Sequence, residues 1–217
     1  MSKIVFLDVD GTLIDYEAKL PASAAKAVGQ ARANGHKVYI CTGCSKAEIL
    51  QRNLCDLDGM IGGNGAYVED NNHVVMHQGL SKEDVKNIVD WCNERHIGFY
   101  LEANSGMYCN DYMLEQGPET MVKYAKGKGE VALFGDLGPT GITKRHAIEV
   151  LLDYLHADPK ETISFGDAKI DLSMFECCAY NVAMGNGGSE IKEAADYITD
   201  DVNEDGLYNA FKYLKLI

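Results

Sequence analysis

The stretch KIVFLDVDGTL, residues 3–13, decides the fold that the sequence predicts. Its apolar run, Ile4 to Leu7, is bounded by turn residues, as is typical of a fully buried central strand. Asp8 and Asp10 follow directly, and side chains two apart on an extended segment point to the same side. Crowded carboxylates at the carboxyl end of a strand favour a cation, a shared proton or a phosphoryl group as a partner. An Asx-type turn is the simpler alternative.

The composition sets the class of protein and the kind of partner. A chain of 217 residues can form one large domain, or one domain with an insertion, and its 46% of hydrophobic residues is ordinary for a globular protein. The net charge of −13 argues against nucleic acid or an anionic membrane as a partner. A phosphorylated metabolite remains compatible, because a divalent cation and one lysine can reverse the sign of a small pocket. The absence of a long apolar run and of a signal-peptide pattern predicts a cytoplasmic protein.

Seven cysteines form an odd number without a regular framework, which favours reduced thiols. Cys41 and Cys44 have the spacing of a redox or zinc motif, but no second CxxC or histidine pair accompanies them. We therefore expect two incidental thiols there.

Residues 1–80 and 138–217 alternate between strand and helix patterns. This alternation, with short connections, predicts an α/β fold with a doubly wound, Rossmann-like parallel sheet. The expected strands are 4–7, 37–41, 60–61, 162–165 and 179–184, and the expected helices are 21–35, 46–54, 143–155, 189–195 and 205–214.

The pattern changes near Gly79. A capped amphipathic helix is expected from Ser81 to Arg95, followed by a hairpin with strands at 97–103 and 107–110. A helix opening at Pro118 and a strand at 131–134 complete the segment. A hairpin that interrupts a series of alternating strands and helices predicts a small inserted α+β domain at 81–137, with a core domain formed by 1–80 and 138–217.

Other polar residues also lie where predicted strands end. Thr42 and Gly43 follow the second strand, and Asp167, with Asp171 four residues later, follows the strand TISF. Strand ends in such a sheet share one edge, and four carboxylates there favour Mg²⁺. Taken singly, Asp167 and Asp171 are equally compatible with a helix cap and a first-turn acid.

Two further features are compatible with a bound phosphate. Thr42 and the backbone N–H of Gly43 can donate to a phosphoryl oxygen, although a simple strand-to-helix turn explains them equally well. Lys144 lies near the start of its helix, where the macrodipole disfavours a cation. A lone lysine is usually exposed, but a phosphate would give this one a partner.

These residues resemble the haloacid dehalogenase (HAD) superfamily, and within it the Cof-type phosphatases with a type-2 cap domain. The resemblance rests on DVDGTL at 8–13, TG at 42–43, NGA at 64–66, ITK at 142–144, GDAKID at 166–171 and AMGN at 183–186. It covers both core segments, and it implies a HAD-like core with an inserted cap domain that is shorter here than usual.

The resemblance also implies roles for individual residues. Asp8 would attack phosphorus to give an aspartyl-phosphate, and Asp10 would protonate the leaving alcohol and then activate water. Mg²⁺ would be held by Asp8, Asp167 and the main-chain carbonyl of Asp10, with Asp171 adjacent. Thr42, Gly43 and Lys144 would hold the phosphoryl group.

Three residues of the same motifs, Thr12, Asn64 and Asn186, are expected to support the metal and phosphate ligands, although a turn asparagine is the simpler interpretation of Asn186. The sequence departs from the family at two positions. Cys44 stands where the family often has arginine, and Ile170 stands where it often has asparagine.

We therefore predict a Mg²⁺-dependent phosphomonoester hydrolase for a small metabolite such as a sugar phosphate. Two alternatives are a phosphomutase of the phosphomannomutase type and a non-catalytic sensor of a phosphorylated ligand. Substrate choice is expected to depend on the inserted domain, where Tyr100, Glu102, Tyr108 and Asn110 are candidates that are equally compatible with ordinary strand surface.

Overall fold

A computed structural model describes residues 2–115 and 137–217. Within them, eight strands form one sheet in the order β10-β9-β8-β1-β2-β3-β4-β5, and β6 and β7 form a separate pair. The strands are β1 Ile4–Leu7, β2 Lys37–Cys41, β3 Gly59–Gly62, β4 Tyr67–Asp70, β5 His73–His77, β6 Tyr100–Ala103, β7 Gly106–Cys109, β8 Thr162–Gly166, β9 Tyr180–Ala183 and β10 Tyr197–Ile198. The helices are α1 Ala22–Ala33, α2 Lys46–Ile49, α3 Lys82–Glu94, α4 at 111–115, α5 Lys144–Tyr154, α6 Leu172–Phe175, α7 Ser189–Ala194 and α8 Gly206–Tyr213.

Strand β1 lies in the middle of the sheet, parallel to β2 and β8. Leu7 pairs with Ile40 on one side and with Phe165 on the other, so the three strands end at the same level. The loops after these strands therefore meet at one edge of the sheet. The predicted α/β fold with a doubly wound core is confirmed.

Both faces of β1 are covered by helices. Val5 and Leu7 pack in a core with α1 and α8, whereas Ile4 and Phe6 pack in a second core with α5, α6 and α7. All four residues are buried. This two-sided burial explains why the strand is a continuous apolar run rather than an alternating one.

The hairpin β4–β5 extends the sheet with two antiparallel strands that the sequence did not predict. Strand β4 contains Glu69 and Asp70, which favour a loop in sequence, but both side chains are buried and paired. Glu69 pairs with Lys46, and the Tyr39 hydroxyl donates to Asp70 Oδ1 at 2.6 Å. Tertiary partners therefore override the local preference. The short strand β10 was also missed.

The predicted helix at 46–54 is wrong in length, because α2 ends at Ile49. After this residue the backbone bonds tighten: Gln51 N–H donates to the Glu48 carbonyl and Arg52 N–H to the Ile49 carbonyl. Such three-residue bonds commonly end a helix. The tight turn fixes the position of Arg52, whose side chain pairs with Asp10.

The segment after Gly79 contains the expected helix and hairpin. Ser81 caps α3 by accepting from Asp84 N–H at 3.0 Å, and β6 and β7 pair across a turn at 104–105. The expected helix at Pro118 and strand at 131–134 lie outside the described residues. The division into domains at 81 and 137 stays a prediction.

The hairpin tip contacts the core at α2. The backbone N–H of Lys46 donates to Asn104 Oδ1 at 3.3 Å. Across residues 2–115 and 137–217, no helix is both long and apolar enough to span a bilayer. The predicted cytoplasmic location stays a prediction.

Candidate active site

Three buried carboxylates meet where β1 and β8 end. Asp8 follows β1, and its N–H still donates to the Phe165 carbonyl of β8 at 3.0 Å. Asp167 follows β8, and Asp171 lies four residues further on. One carboxylate oxygen from each of Asp8, Asp167 and Asp171 lies within 4.8 Å of the other two. We call these residues the carboxylate triad.

Lys144 bridges two members of the triad. Its Nζ donates to Asp8 Oδ1 at 2.8 Å and to Asp171 Oδ1 at 2.6 Å, and the residue is only 2% exposed. Lys144 is the first residue of α5, where the helix dipole disfavours a cation. The two carboxylates offset that cost, and they explain why this lysine is buried rather than exposed.

The start of α5 reaches the site because residue 65 is a glycine. Gly65 has φ +108°, and a Cβ there would overlap the Thr143 carbonyl. The Thr143 side chain in turn caps α5 by accepting from His146 N–H at 3.1 Å. The NGA motif thus holds the helix that carries Lys144 close to the sheet edge.

The electrostatics of the triad favour an additional cation. Burial raises the pKa of Asp8 to about 7, and the nearby Asp171 charge acts in the same direction while Lys144 opposes it. Burial lowers the pKa of Lys144, but the charges of Asp8 and Asp171 outweigh it and hold that pKa above its usual value. Three carboxylates facing one ammonium leave net negative charge in a buried space, which a divalent cation would balance.

Asp171 also organises the turn after β8. Its Oδ2 accepts from the N–H groups of Asp167 at 3.2 Å and Ala168 at 3.1 Å. Asp171 therefore has both roles: its Oδ2 acts as a cap for the turn, and its Oδ1 forms the ion pair with Lys144. Such fixed partners keep the carboxylate in one orientation.

The Asp167 carboxylate is held by two hydroxyl groups. Thr12 Oγ1 donates to Asp167 Oδ1 at 3.3 Å, and the Tyr16 hydroxyl donates to Oδ2. Gly11, at φ +87°, lies so close that a Cβ would overlap both Asp167 Oδ2 and Tyr16. Thr12 was predicted as a supporting residue. Tyr16 was missed, because no pattern links a tyrosine in this loop to an acid more than a hundred residues away.

Asn186 supports the same loop through hydrogen bonds to backbone atoms. Its Nδ2 donates to the Gly11 carbonyl at 2.8 Å, and its Oδ1 accepts from Val202 N–H at 2.9 Å. Asn186 therefore ties the loop after β1 to the C-terminal part of the chain. A turn asparagine alone would not make this pair of long-range contacts.

Asp10 lies outside the carboxylate triad. Its side chain is 45% exposed, and Arg52 Nη1 donates to Asp10 Oδ1 at 2.6 Å. The Nη2 atom of Arg52 lies 3.3 Å from Cys44 Sγ. Arg52 was not predicted as a site residue, although the cysteine in place of the family arginine was a signal to look for a cation from elsewhere in the chain.

Thr42 and Gly43 follow β2 at the same edge. Thr42 is buried, its Oγ1 accepts from Cys44 N–H at 3.1 Å, and its carbonyl accepts from Asn64 N–H at 3.1 Å. Asn64 has φ 52°, and its Oδ1 is buried without a hydrogen-bond partner among the described residues. A Cβ on Gly43 would lie 3.2 Å from that oxygen, so the glycine leaves room for Asn64.

The two departures from the family pattern differ in their surroundings. Ile170 is 51% exposed, whereas Cys44 contacts Arg52. All seven cysteines are free thiols, and Cys41 is buried. Burial raises the pKa of Cys44 to about 11, so its thiol is neutral at ordinary pH.

Comparison with known proteins gives the family. The model of the haloacid dehalogenase-like hydrolases matches residues 5–134 and 132–211. YkrA of Bacillus subtilis strain 168, whose phosphatase name is provisional, is 28% identical over 100% of this chain and 99% of its own length. A second B. subtilis protein, the 5-amino-6-(5-phospho-D-ribitylamino)uracil phosphatase YcsE, is 24% identical over 97% of this chain and 95% of its own.

Comparison with solved structures indicates the same superfamily. The solved structure of the HAD subclass IIB sugar phosphatase BT4131 superposes with a TM-score of 0.78 and 27% identity over 100% of both chains. The sequence comparison and the structural comparison therefore indicate the same superfamily, and each covers 100% of this chain. The protein belongs to the haloacid dehalogenase-like hydrolases, and it is a phosphatase of that superfamily.

Proposed function

We propose that the protein is a Mg²⁺-dependent phosphomonoesterase that hydrolyses a small phosphorylated metabolite through a phosphorylated Asp8. The observation that carries the proposal is the bridge from Lys144 to Asp8 and Asp171, with Asp167 beside them. A buried lysine held by two acids is costly to maintain for stability alone. It is well suited to holding a transferring phosphoryl group next to a nucleophile.

The carboxylate triad fits Mg²⁺ by the chemistry of its donors. Mg²⁺ binds a few carboxylates and water at about 2.1 Å, so that opposite ligand oxygens lie about 4.2 Å apart. The triad oxygens lie within 4.8 Å of one another, a spacing that is compatible with ligands of one such ion. Asp8 and Asp167 would hold the ion with the Asp10 carbonyl, and Asp171 would stay paired with Lys144. When bound, Mg²⁺ would supply positive charge for the phosphoryl oxygens.

The positions of the side chains support the chemistry that we propose for them. An Asp8 carboxylate oxygen attacks phosphorus, and the bond from phosphorus to the ester oxygen breaks. Asp10, which is more exposed than Asp8, faces the solvent side, where a leaving group would lie, and gives that oxygen a proton. Asp10 then takes a proton from the water that attacks the phosphorylated Asp8, releasing inorganic phosphate and restoring the carboxylate.

Lys144 and Thr42 hold the phosphoryl group during both steps. The Lys144 ammonium offsets charge on the phosphoryl oxygens, as does the backbone N–H of Gly43 after β2. Asn64, whose buried Oδ1 lacks a hydrogen-bond partner in the described part of the chain, supports the Thr42–Gly43 turn through its backbone bond to Thr42. In this proposal the phosphate binds at the sheet edge, and the rest of the substrate is directed towards the hairpin β6–β7.

The hairpin and the inserted domain at 81–137 are proposed to act as a small cap. Support comes from the contact of Asn104 with the start of α2, next to Cys44. The family model matches in two segments that meet at 132–134, and the alignment with YkrA runs to 256 positions for a chain of 217 residues. About 40 positions of that relative thus have no counterpart here, which supports a shortened cap.

A sugar phosphate or a related polyol phosphate is the proposed substrate class. YcsE is named for a phosphoribitylamino compound and BT4131 for sugar phosphates, and both leaving groups are polyols. A small cap over an open edge is compatible with a compact polyol. The product would be inorganic phosphate rather than a rearranged sugar phosphate.

A phosphate-release assay tests the proposal. The purified protein is incubated with a panel of sugar phosphates and an aryl phosphate, with Mg²⁺ or with EDTA. We expect release only with Mg²⁺, none from Asp8→Asn, and ordinary release from Asp153→Asn, which removes an exposed acid on α5. Release by Asp8→Asn at the normal rate would contradict the role of Asp8, and transfer of the phosphoryl group to another hydroxyl of the sugar would support a mutase.

A further inference from the structure

Arg52 lies beside Asp10 at the open side of the site, where the sequence departs from its family. We infer that Arg52 binds a second anionic group on the substrate, a carboxylate or phosphate carried by the leaving group. The inference rests on the proposed function, because it assumes that the leaving oxygen lies against Asp10. It narrows the proposed sugar and polyol phosphates to those whose alcohol part also carries a negative charge.

The guanidinium of Arg52 is accessible and only partly used. Its side chain is 25% exposed, whereas that of Lys144 is 1% exposed. In the described part of the chain, its hydrogen bonds go to Asp10 Oδ1 at 2.6 Å and to Cys44 Sγ at 3.3 Å. A neutral thiol is a weak acceptor, and a guanidinium has several more N–H groups in a planar fork. Donors therefore remain for a ligand.

The position of Arg52 fixes which part of the substrate it can reach. The leaving oxygen must come within hydrogen-bond distance of Asp10 to receive its proton. Since Arg52 bonds to the same carboxylate, atoms next to that oxygen come within reach of the guanidinium. A carboxylate or phosphate there matches the fork with two oxygens, whereas a neutral hydroxyl does not.

The two nearby lysines have fewer donors left than Arg52 has. Lys144 is bound to Asp8 and Asp171, and Lys46 is paired with Glu69. Among these three cations, Arg52 keeps the most N–H groups without a hydrogen-bond partner in the described part of the chain. A chain with a net charge of −13 would otherwise repel a doubly anionic substrate.

Cys44 allows Arg52 to occupy this position. The cysteine is small, and the guanidinium packs against its sulfur. The tight turn after α2, in which Arg52 N–H donates to the Ile49 carbonyl at 3.0 Å, holds the Arg52 backbone at a fixed distance from the site. Arg52 thus supplies the positive charge that the family often has at position 44. Its guanidinium lies on the side of the site where the leaving group would bind.

A pair of substrates that differ in one charge tests the inference. Phosphoglycolate carries a carboxylate beside its ester, and its amide carries a neutral group of nearly the same shape. We expect wild type to prefer the carboxylate in kcat/KM by roughly tenfold to a hundredfold, as one charge-assisted contact allows. The variant Arg52→Gln should lower this ratio to about one, mainly through KM, and Arg52→Lys should keep part of it.

Matched measurements separate the possible outcomes. Arg145→Gln removes an exposed arginine next to Lys144 in sequence and should leave the ratio unchanged. A wild-type ratio near one, or an Arg52→Gln ratio equal to that of wild type, would overturn the inference, as would an equal fall in kcat for both substrates. No Mg²⁺-dependent release from either substrate or from an aryl phosphate would instead overturn the proposed function.

Discussion

Replacing Lys144 with methionine should destabilise the metal-free protein strongly. The ammonium makes two short bonds, 2.8 Å to Asp8 and 2.6 Å to Asp171, in a place that is almost wholly buried. A hydrogen bond to a charged group contributes about 1.5–3 kcal/mol, so the two together give roughly 3–6 kcal/mol. This range agrees with the about 3–5 kcal/mol measured when one partner of a buried ion pair is removed.

The measurement is urea unfolding of wild type and Lys144→Met in EDTA at pH 8. We expect the free energy of unfolding to fall by about 3–5 kcal/mol, and the melting temperature by roughly 6–20 °C for a chain of this size. Lys169→Met is the control, because it breaks an exposed pair with Glu190 and should change stability by at most about 1 kcal/mol.

Two conditions should reduce the effect of Lys144→Met. Saturating Mg²⁺ should restore part of the stability by neutralising the carboxylate triad. Lowering the pH to 5 should also reduce the loss, because the folded-state pKa of Asp8 is raised to about 7 and the variant can take up protons. The folded state then binds more protons than the unfolded state, so stability falls as pH rises through this range. A loss no larger than that of Lys169→Met would show that the buried pairs of Lys144 with Asp8 and Asp171 do not stabilise the protein.

Three further predictions concern residues around the site and the edge of the sheet. Tyr16→Phe removes a hydroxyl from Asp167 and should weaken Mg²⁺ binding about tenfold by calorimetry with little change in stability; unchanged affinity would show that Thr12 alone suffices. Asn186→Ala removes two hydrogen bonds to backbone and should lower the free energy of unfolding by about 1–3 kcal/mol in urea, and a change below about 0.5 kcal/mol would contradict that role. His36 accepts a hydrogen bond from Lys3 N–H, and burial lowers its pKa. The unfolded state therefore binds the proton more readily, stability should fall as pH drops below 6.5, and His36→Gln should flatten this part of the profile; identical pH profiles would contradict it.

The core of the fold could be predicted because its signals are local. The apolar run Ile4 to Leu7 and the strand–helix alternation predict a doubly wound parallel sheet and the edge at which its strands end. The hairpin β4–β5 could not be predicted in this way. Its acids Glu69 and Asp70 are buried only because Lys46 and Tyr39 reach them from other elements.

The same distinction applies to the site. Asp8, Asp167 and Thr42 follow strands, so the position of their backbone at one edge follows from topology. The contacts of Arg52 and Tyr16 depend on the shape of a turn and a loop, and no short pattern encodes either. The outward orientation of Asp10, which pairs with Arg52 rather than joining the carboxylate triad, was unexpected for the same reason.

The most direct test of the central claim is to trap the phosphorylated enzyme. Protein, Mg²⁺ and a turned-over phosphomonoester are mixed, quenched in acid within the first turnover, and digested for peptide mass analysis. We expect a phosphoryl group on the peptide that contains KIVFLDVDGTL, located at Asp8, and none in Asp8→Asn. Full turnover with no trapped phosphoryl group, or with the group on another residue, would contradict it.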